Sequence, residues 1–325
     1  MGHPAVLAAS LNPAANSADG FAADVCRPFL LQSQNADGGW GYHPGASSAV
    51  EPTAWSLLAL AKFDPQIPEV ERGARWLLGC QNRDGSWPSR PETLDGCWLT
   101  PLAGLALVAL KAPGAETAVR NAAEWTCQSH TGQRHWKMWL ARFLSRRRAV
   151  AQDLSLEGWS WTLGTSSWVE PTAIALIFLQ QLPALEKSSN VLSRRQMGES
   201  FLYDRMCPGG GWSMGNPKIY GVEGIAQAGV TAWALLALQK NRQREENQRS
   251  AAWLEANFDS IAGPSSLALA RIALEAVGRI PASIESRLAV QFAARKFLNN
   301  IPTVSQVIFA LEPGPDVLRW IPDRP

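Results

Sequence analysis

Apolar residues along this chain gather into two alternating kinds of segment. In one kind they recur three and four residues apart, as in VERGARWLLGCQ (70–81), so one side of a helix is apolar and the other charged. In the other kind almost every position is apolar: AWSLLALA, AGLALVAL, AIALIFL, AWALLAL and LALARIAL. A helix that is apolar all round is covered by protein on every side. Period-two alternation bounded by turn residues, the mark of a half-buried strand, is absent. The pattern predicts six helix pairs. They are Phe21–Leu31 with Pro52–Lys62, Val70–Cys80 with Leu99–Leu110, and Glu116–Gln128 with Pro171–Gln181. The remaining three are Leu192–Met206 with Val230–Gln243, Gln248–Phe258 with Ser265–Val277, and Ile284–Phe297 with Thr303–Leu311.

The division between the two kinds implies an inner ring of apolar helices wrapped by an outer ring of amphipathic ones. An open stack of repeats needs polar capping units at its ends. The sequence shows none, so the pairs are expected to close on themselves. The expected fold is all-α, a single (α/α)6 toroid over residues 1–325, with an insertion at 129–157 inside the third pair.

A motif punctuates the loops. Gln-x-x-Asp-Gly-x-Trp occurs as Gln34–Trp40 and again as Gln81–Trp87, with degenerate versions at Trp159 and Trp212. The two intact tryptophans lie 47 residues apart, the period of a helical repeat. Asp-Gly sets a turn after a helix, because glycine tolerates positive φ. The glutamine is expected to donate to carbonyls left unpaired at a neighbouring helix end, and the tryptophan to cover that end. This is scaffold chemistry. The motif resembles the QW repeat of terpene cyclases, squalene–hopene cyclases and their protein-prenyltransferase relatives, well over residues 20–240 and by pattern over 245–315. The resemblance implies a toroid whose apolar centre folds or transfers an isoprenoid chain. Class II cyclases pair this toroid with a second helical domain, and 325 residues leave room for one.

Such cyclases protonate an alkene or epoxide with the middle acid of an Asp-x-Asp-Asp-Thr-Ala motif, and this chain contains no Asp-x-Asp-Asp. Aligned on Thr-Ala, Ala49–Ala54 (AVEPTA) places Glu51 at that position, and Trp168–Ala173 (WVEPTA) places Glu170 there. Both follow a tryptophan by 11 residues, in GWGYHPGASSAVEPTAW and GWSWTLGTSSWVEPTAI. A proline at the first helical position with an acid beside it also suits a plain helix N-terminus, so capping is the competing reading. Two hairpins apart, the two carboxyls are not expected to share a proton. A third candidate is Asp95. Leu94–Trp98 (LDGCW) resembles the zinc segment of protein prenyltransferases, in which an Asp and a Cys two residues on are ligands. That family's third ligand, a histidine, would fall near Ser166, and the chain has no histidine after His135. No metal and no cofactor are therefore expected, and Cys97 reads as a small core residue.

Composition narrows the rest. The chain is 46% hydrophobic and 18% charged, with net charge +2 and fifteen tryptophans. Trp55, Trp98, Trp168 and Trp233 fall near the starts of the apolar helices, where their π faces would shield a cationic intermediate or line a substrate site. Five scattered cysteines suggest reduced thiols, and the N-terminus lacks the basic start and apolar core of a signal peptide. Residues 134–148 hold six Lys/Arg and no acid, which leaves the remainder of the +2 chain at −4. Charge this local argues against nucleic-acid binding. Trp136, Trp139, Leu140, Phe143 and Leu144 fall on one helical face there, and Arg146, Arg147 and Arg148 extend the basic side. Such a helix suits contact with an anionic membrane surface. The sequence thus predicts a cytoplasmic protein, peripheral on the inner membrane face, that cyclises or binds an isoprenoid lipid. A prenyltransferase-like enzyme and a non-catalytic lipid-binding or scaffolding toroid are the alternatives, and no protein partner is identified.

Overall fold

In a computed structural model the chain is described over residues 20–132, 152–219, 221–314 and 316–319. Helix α1 opens with a π turn at Ala22–Cys26 and continues as Arg27–Gln32. There follow α2 (Val50–Leu60), α3 (Pro68–Gly79), α4 (Leu99–Leu110) and α5 (Glu116–Gln128). Next come α6 (Val169–Gln180), α7 (Ser189–Asp204), α8 (Ala228–Ala237) and α9 (Glu245–Ala256). The last three are α10 (Pro264–Ala276), α11 (Glu285–Arg295) and α12 (Ile301–Leu311). The expected pairs are all present. Beyond them, a two-stranded hairpin, Lys218–Ile219 with Val222–Glu223, stands in the α7–α8 loop, where no strand was expected.

Packing follows the sequence pattern. Each even-numbered helix lies against the next, α2 on α4, then α6, α8, α10 and α12, and α12 returns to α2. The ring is closed. Along α2 every residue but Glu51 is buried, and along α6 every residue but Glu170. The odd-numbered helices bury a single face each, for example Val70, Gly73 and Leu77 of α3. Because every hairpin runs from outside to inside, all six inner helices start at one end of the ring. We call that end the mouth.

The tryptophan motif joins the hairpins. The indoles of Trp40, Trp87 and Trp212 donate to the carbonyls of Leu30, Leu77 and Leu202 at 2.9, 2.7 and 2.7 Å. Those carbonyls lie in the last turn of an outer helix, where each also accepts a cap amide, from Ser33, Cys80 and Arg205, so the indole takes the second lone pair. Trp159 does the same for Thr126. The glutamines act elsewhere than expected. Gln34 and Gln81 donate to Glu69 and Ala118, in the first turn of the next outer helix, so they link neighbouring hairpins and leave the helix C-terminal carbonyls to tryptophan. The glycine after each aspartate is required: Gly38 has φ +94° and a Cβ there would stand 2.9 Å from the Arg72 carbonyl.

At the opposite end, Val317 and Leu318 are buried beneath the ring. Gln239 donates to the Leu318 carbonyl at 2.7 Å, Arg319 pairs with Glu275, and Lys62 lies 3.9 Å from Asp316. The chain's last described residues thus close the base. All five cysteines are free. Among the described residues no helix is long and apolar enough to cross a membrane.

Candidate functional site

The mouth is built by the loops that precede the inner helices, and the helix starts explain which groups are left for chemistry. Helices α2 and α6 begin two residues before their prolines, at Val50 and Val169, so Pro52 and Pro171 are third rather than first. Proline is tolerated there because the first-turn amides have no intrahelical acceptor. The Val50 amide donates to the Ser89 carbonyl at 3.1 Å, and the Val169 amide to the Met214 carbonyl at 3.1 Å, each from a different loop. Neither helix has a side-chain cap. Glu51 and Glu170 stand in the first turn, and neither carboxylate accepts an amide of its own helix.

The threonines of the Thr-Ala pairs are structural. Thr53, Thr100, Thr172 and Thr231 each accept the backbone N–H of the motif tryptophan, at 2.8–3.0 Å. This bond sets the register between loop and inner helix, and so fixes the Glu two residues before Thr53 and Thr172.

Glu51 accepts a hydrogen bond from the Tyr42 hydroxyl at 2.6 Å. Burial pushes its carboxyl above the ordinary carboxylate range, and the Tyr42 bond works against that. Glu170 is pushed up to about 7, first by burial and then by the charge of Glu51, with a bond from Trp233 opposing. Both side chains remain partly accessible. Helix N-termini favour a carboxylate by roughly 0.3–1 kcal/mol, and a pKa raised from 4.5 to about 7 corresponds to about 3 kcal/mol the other way. Desolvation wins.

Below the carboxyls the ring is filled with aromatic side chains. Trp55 lies one turn beyond Glu51 on α2, and Trp233 comes from α8 on the opposite side of the ring. Their ring centroids meet at 6.0 Å, and Phe309 of α12 joins Trp55 at 6.3 Å. Trp98 and Trp168 occupy the rim instead, each at the residue preceding its inner helix. Trp98 stacks edge-on against Trp161 at 4.7 Å. Of the residues expected at the site, the structure brings together Glu51, Glu170, Trp55 and Trp233.

Asp95 stands apart from this group: it is exposed on the loop before α4, beside the equally exposed Leu94. Burial pushes the Cys97 thiol up to about 11, and its Sγ lies 3.7 Å from the Trp87 carbonyl. Among the described residues no group of three or more His, Cys, Asp or Glu is placed to hold a metal ion. Tyr42 and Phe309 are the site residues that sequence reasoning missed. Tyr42 was within reach, since it stands two residues after a motif tryptophan. Phe309 has no local signal. Trp136, Trp139, Leu140, Phe143, Leu144, Arg146, Arg147 and Arg148 lie outside the described residues.

No family model matches the chain. Curated relatives do. Mouse (Mus musculus) lanosterol synthase is 44% identical over 85 residues, which span 23% of this chain and 11% of the relative. A terpene cyclase–glycosyl transferase fusion protein of Humicola fuscoatra is 27% identical over 241 residues, 68% of this chain and 18% of the fusion. The matches thus span under a fifth of these relatives' length. Among solved structures, an α-1,6-mannanase of Salegentibacter shares the fold alone, with TM-score 0.56 and 12% identity over 88% of this chain and 97% of that one. The ring of six hairpins, its tryptophan motifs and these sequence relatives agree: the chain is a terpene cyclase-like toroid.

Proposed function

We propose that this protein acts on an isoprenoid lipid at the mouth of its ring, with Glu170 as the proton donor and Glu51 as its partner carboxyl. The observation that carries this reading is the placement of two desolvated carboxyls, neither bonded to a first-turn amide of its helix, beside the Trp55–Trp233 pair. Aromatic faces stabilise a cation by roughly 0.5–2 kcal/mol each where water is excluded. A positive charge formed beside Glu170 would be shielded by them. A carboxyl that holds its proton to about pH 7 is a weak acid, which suits an oxygen acceptor better than an unactivated alkene. The substrate class we favour is a linear isoprenoid bearing an epoxide or another basic oxygen. Trp98 and Trp168 at the rim would contact its entering end. Asp95, exposed, is assigned a rim role at most.

The whole chain would act as one toroid, with residues 129–157 as an insertion reaching an anionic membrane surface. Of the nine exposed large apolar side chains among the described residues, six stand on mouth loops: Leu94, Leu163, Met214, Val222, Ile225 and Leu298. The insertion interrupts one of those same loops. Apolar tips around an opening suit a lipid surface, from which a water-insoluble substrate could enter.

The test is turnover of a panel of linear terpenoids, their terminal epoxides and their diphosphates by wild type, Glu51→Gln and Glu170→Gln. Loss of cyclic product in Glu170→Gln is expected. Unchanged turnover in both variants would sink the acid assignment. A polyprenyl lipid that co-purifies by mass spectrometry, with no product from any panel member, would support the non-catalytic binder.

A further inference from the structure

The two Val-Glu-Pro-Thr-Ala repeats are built alike, down to the loop carbonyl that receives each first-turn amide. One of their sequence differences bears on the glutamates. Two residues after its motif tryptophan, the first repeat has Tyr42 and the third has Trp161. Both residues precede their glutamate by nine. Tyr42 turns its hydroxyl onto Glu51 at 2.6 Å, whereas Trp161 packs against Trp98 and makes no bond to Glu170. The pKa of Glu170 is instead lowered by the Trp233 indole, across the ring.

An O–H···O contact of 2.6 Å falls in the range of charge-assisted bonds to a carboxylate, about 2.5–2.7 Å. A phenol can give its proton to such a bond but does not lose it here, because burial and Glu51 raise its pKa. The phenol therefore favours the ionised form of Glu51 alone, against the larger upward effect of burial. Like charges facing one site do not both ionise easily, so a fixed charge on one carboxyl keeps the proton on the other. From the second mouth loop, Arg90 acts on Tyr42, and Cys97 stays a neutral thiol.

We infer that Tyr42 is a positioning residue that holds Glu51 ionised at the mouth and thereby keeps the proton of the carboxyl pair on Glu170. The assignment rests on the proposed acid role of Glu170 and names the group that sets it. The two carboxyls need not share a proton for this, since Glu51 is among the causes that raise Glu170.

The experiment is infrared spectroscopy of protein labelled with carbon-13 at glutamate, titrated through neutral pH without substrate. A protonated-carboxyl band that disappears in Glu170→Gln identifies Glu170, and its midpoint is expected near the value of about 7. Glu51→Gln removes the charge and should lower that midpoint, a drop of about tenfold in proton affinity. Tyr42→Phe keeps the ring and its packing, and should lower the Glu170 midpoint while raising that of Glu51. A merely structural role for Tyr42 predicts no movement. Loss of the band in Glu51→Gln rather than Glu170→Gln would overturn the assignment. So would a Glu170 midpoint unmoved in both Tyr42→Phe and Glu51→Gln, with circular dichroism showing both folded. Because the readout needs no substrate, absence of turnover would end the cyclase reading and leave this division of charge standing.

Discussion

Glu170 sets the energetics of the mouth at the scale of single residues. Its folded pKa of about 7 lies above the ordinary 4.5, so the native state binds more proton than the unfolded chain between those values. Stability then falls as pH rises across that window and levels off above it. Glu170→Gln removes the effect. The variant is expected to melt above wild type at about pH 8, by on the order of 2–3 kcal/mol, with the difference gone below about pH 4. Differential scanning calorimetry across that range checks the sign. Catalysis depends on the same proton in the same direction, and only the effect of the substitution differs. If Glu170 is the acid, turnover falls as pH rises through about 7, and the variant that gains stability loses product.

At the scale of elements, the tryptophan motif converts separate hairpins into a ring. Thr100 accepts the Trp87 amide at 2.9 Å in a site with no water access for either group. Thr100→Val keeps the shape and leaves that N–H unpaired, a loss of about 1–3 kcal/mol readable in chemical denaturation. Gly85 has φ +88°, and a Cβ there would stand 2.6 Å from the Asn121 carbonyl on the next outer helix. Gly85→Ala is expected to cost more than about 1 kcal/mol, since strain and a backbone clash act together. A Gly79→Ala control, where a Cβ meets open space, should be neutral or stabilising. Equal effects at the two glycines would refute the close-approach account.

Over the whole molecule, two ends of the ring have different tasks. The base is closed by Val317 and Leu318 and by a network joining Lys62, Asp316, Arg319 and Glu275. The mouth is left to the loops, with their exposed apolar tips. Docking on lipid through that face predicts that vesicles containing phosphatidylglycerol sediment the protein. Leu298→Asp combined with Ile225→Asp should weaken sedimentation severalfold without lowering the melting temperature, because both side chains are exposed. Unchanged sedimentation would remove the apolar rim from the membrane surface.

The pattern of apolar positions was enough to read the six helix pairs, their division into inner and outer rings, and the closure of the ring. Burial on every side and burial on one face leave different periodicities, and both are local properties of the chain. The tryptophan and glycine of the motif were legible for the same reason, as were Glu51 and Glu170 as a repeated pair. What those carboxyls do was not. Helix propensity alone allowed them to be caps, and only folding brought the Ser89 and Met214 carbonyls to the first-turn amides and freed the carboxyls. Trp55 and Trp233 are 178 residues apart in sequence, and ring closure alone places them at 6.0 Å. The pKa of Glu170 depends on burial by several hairpins at once and on a charge from another repeat, and neither is encoded in its neighbours along the chain.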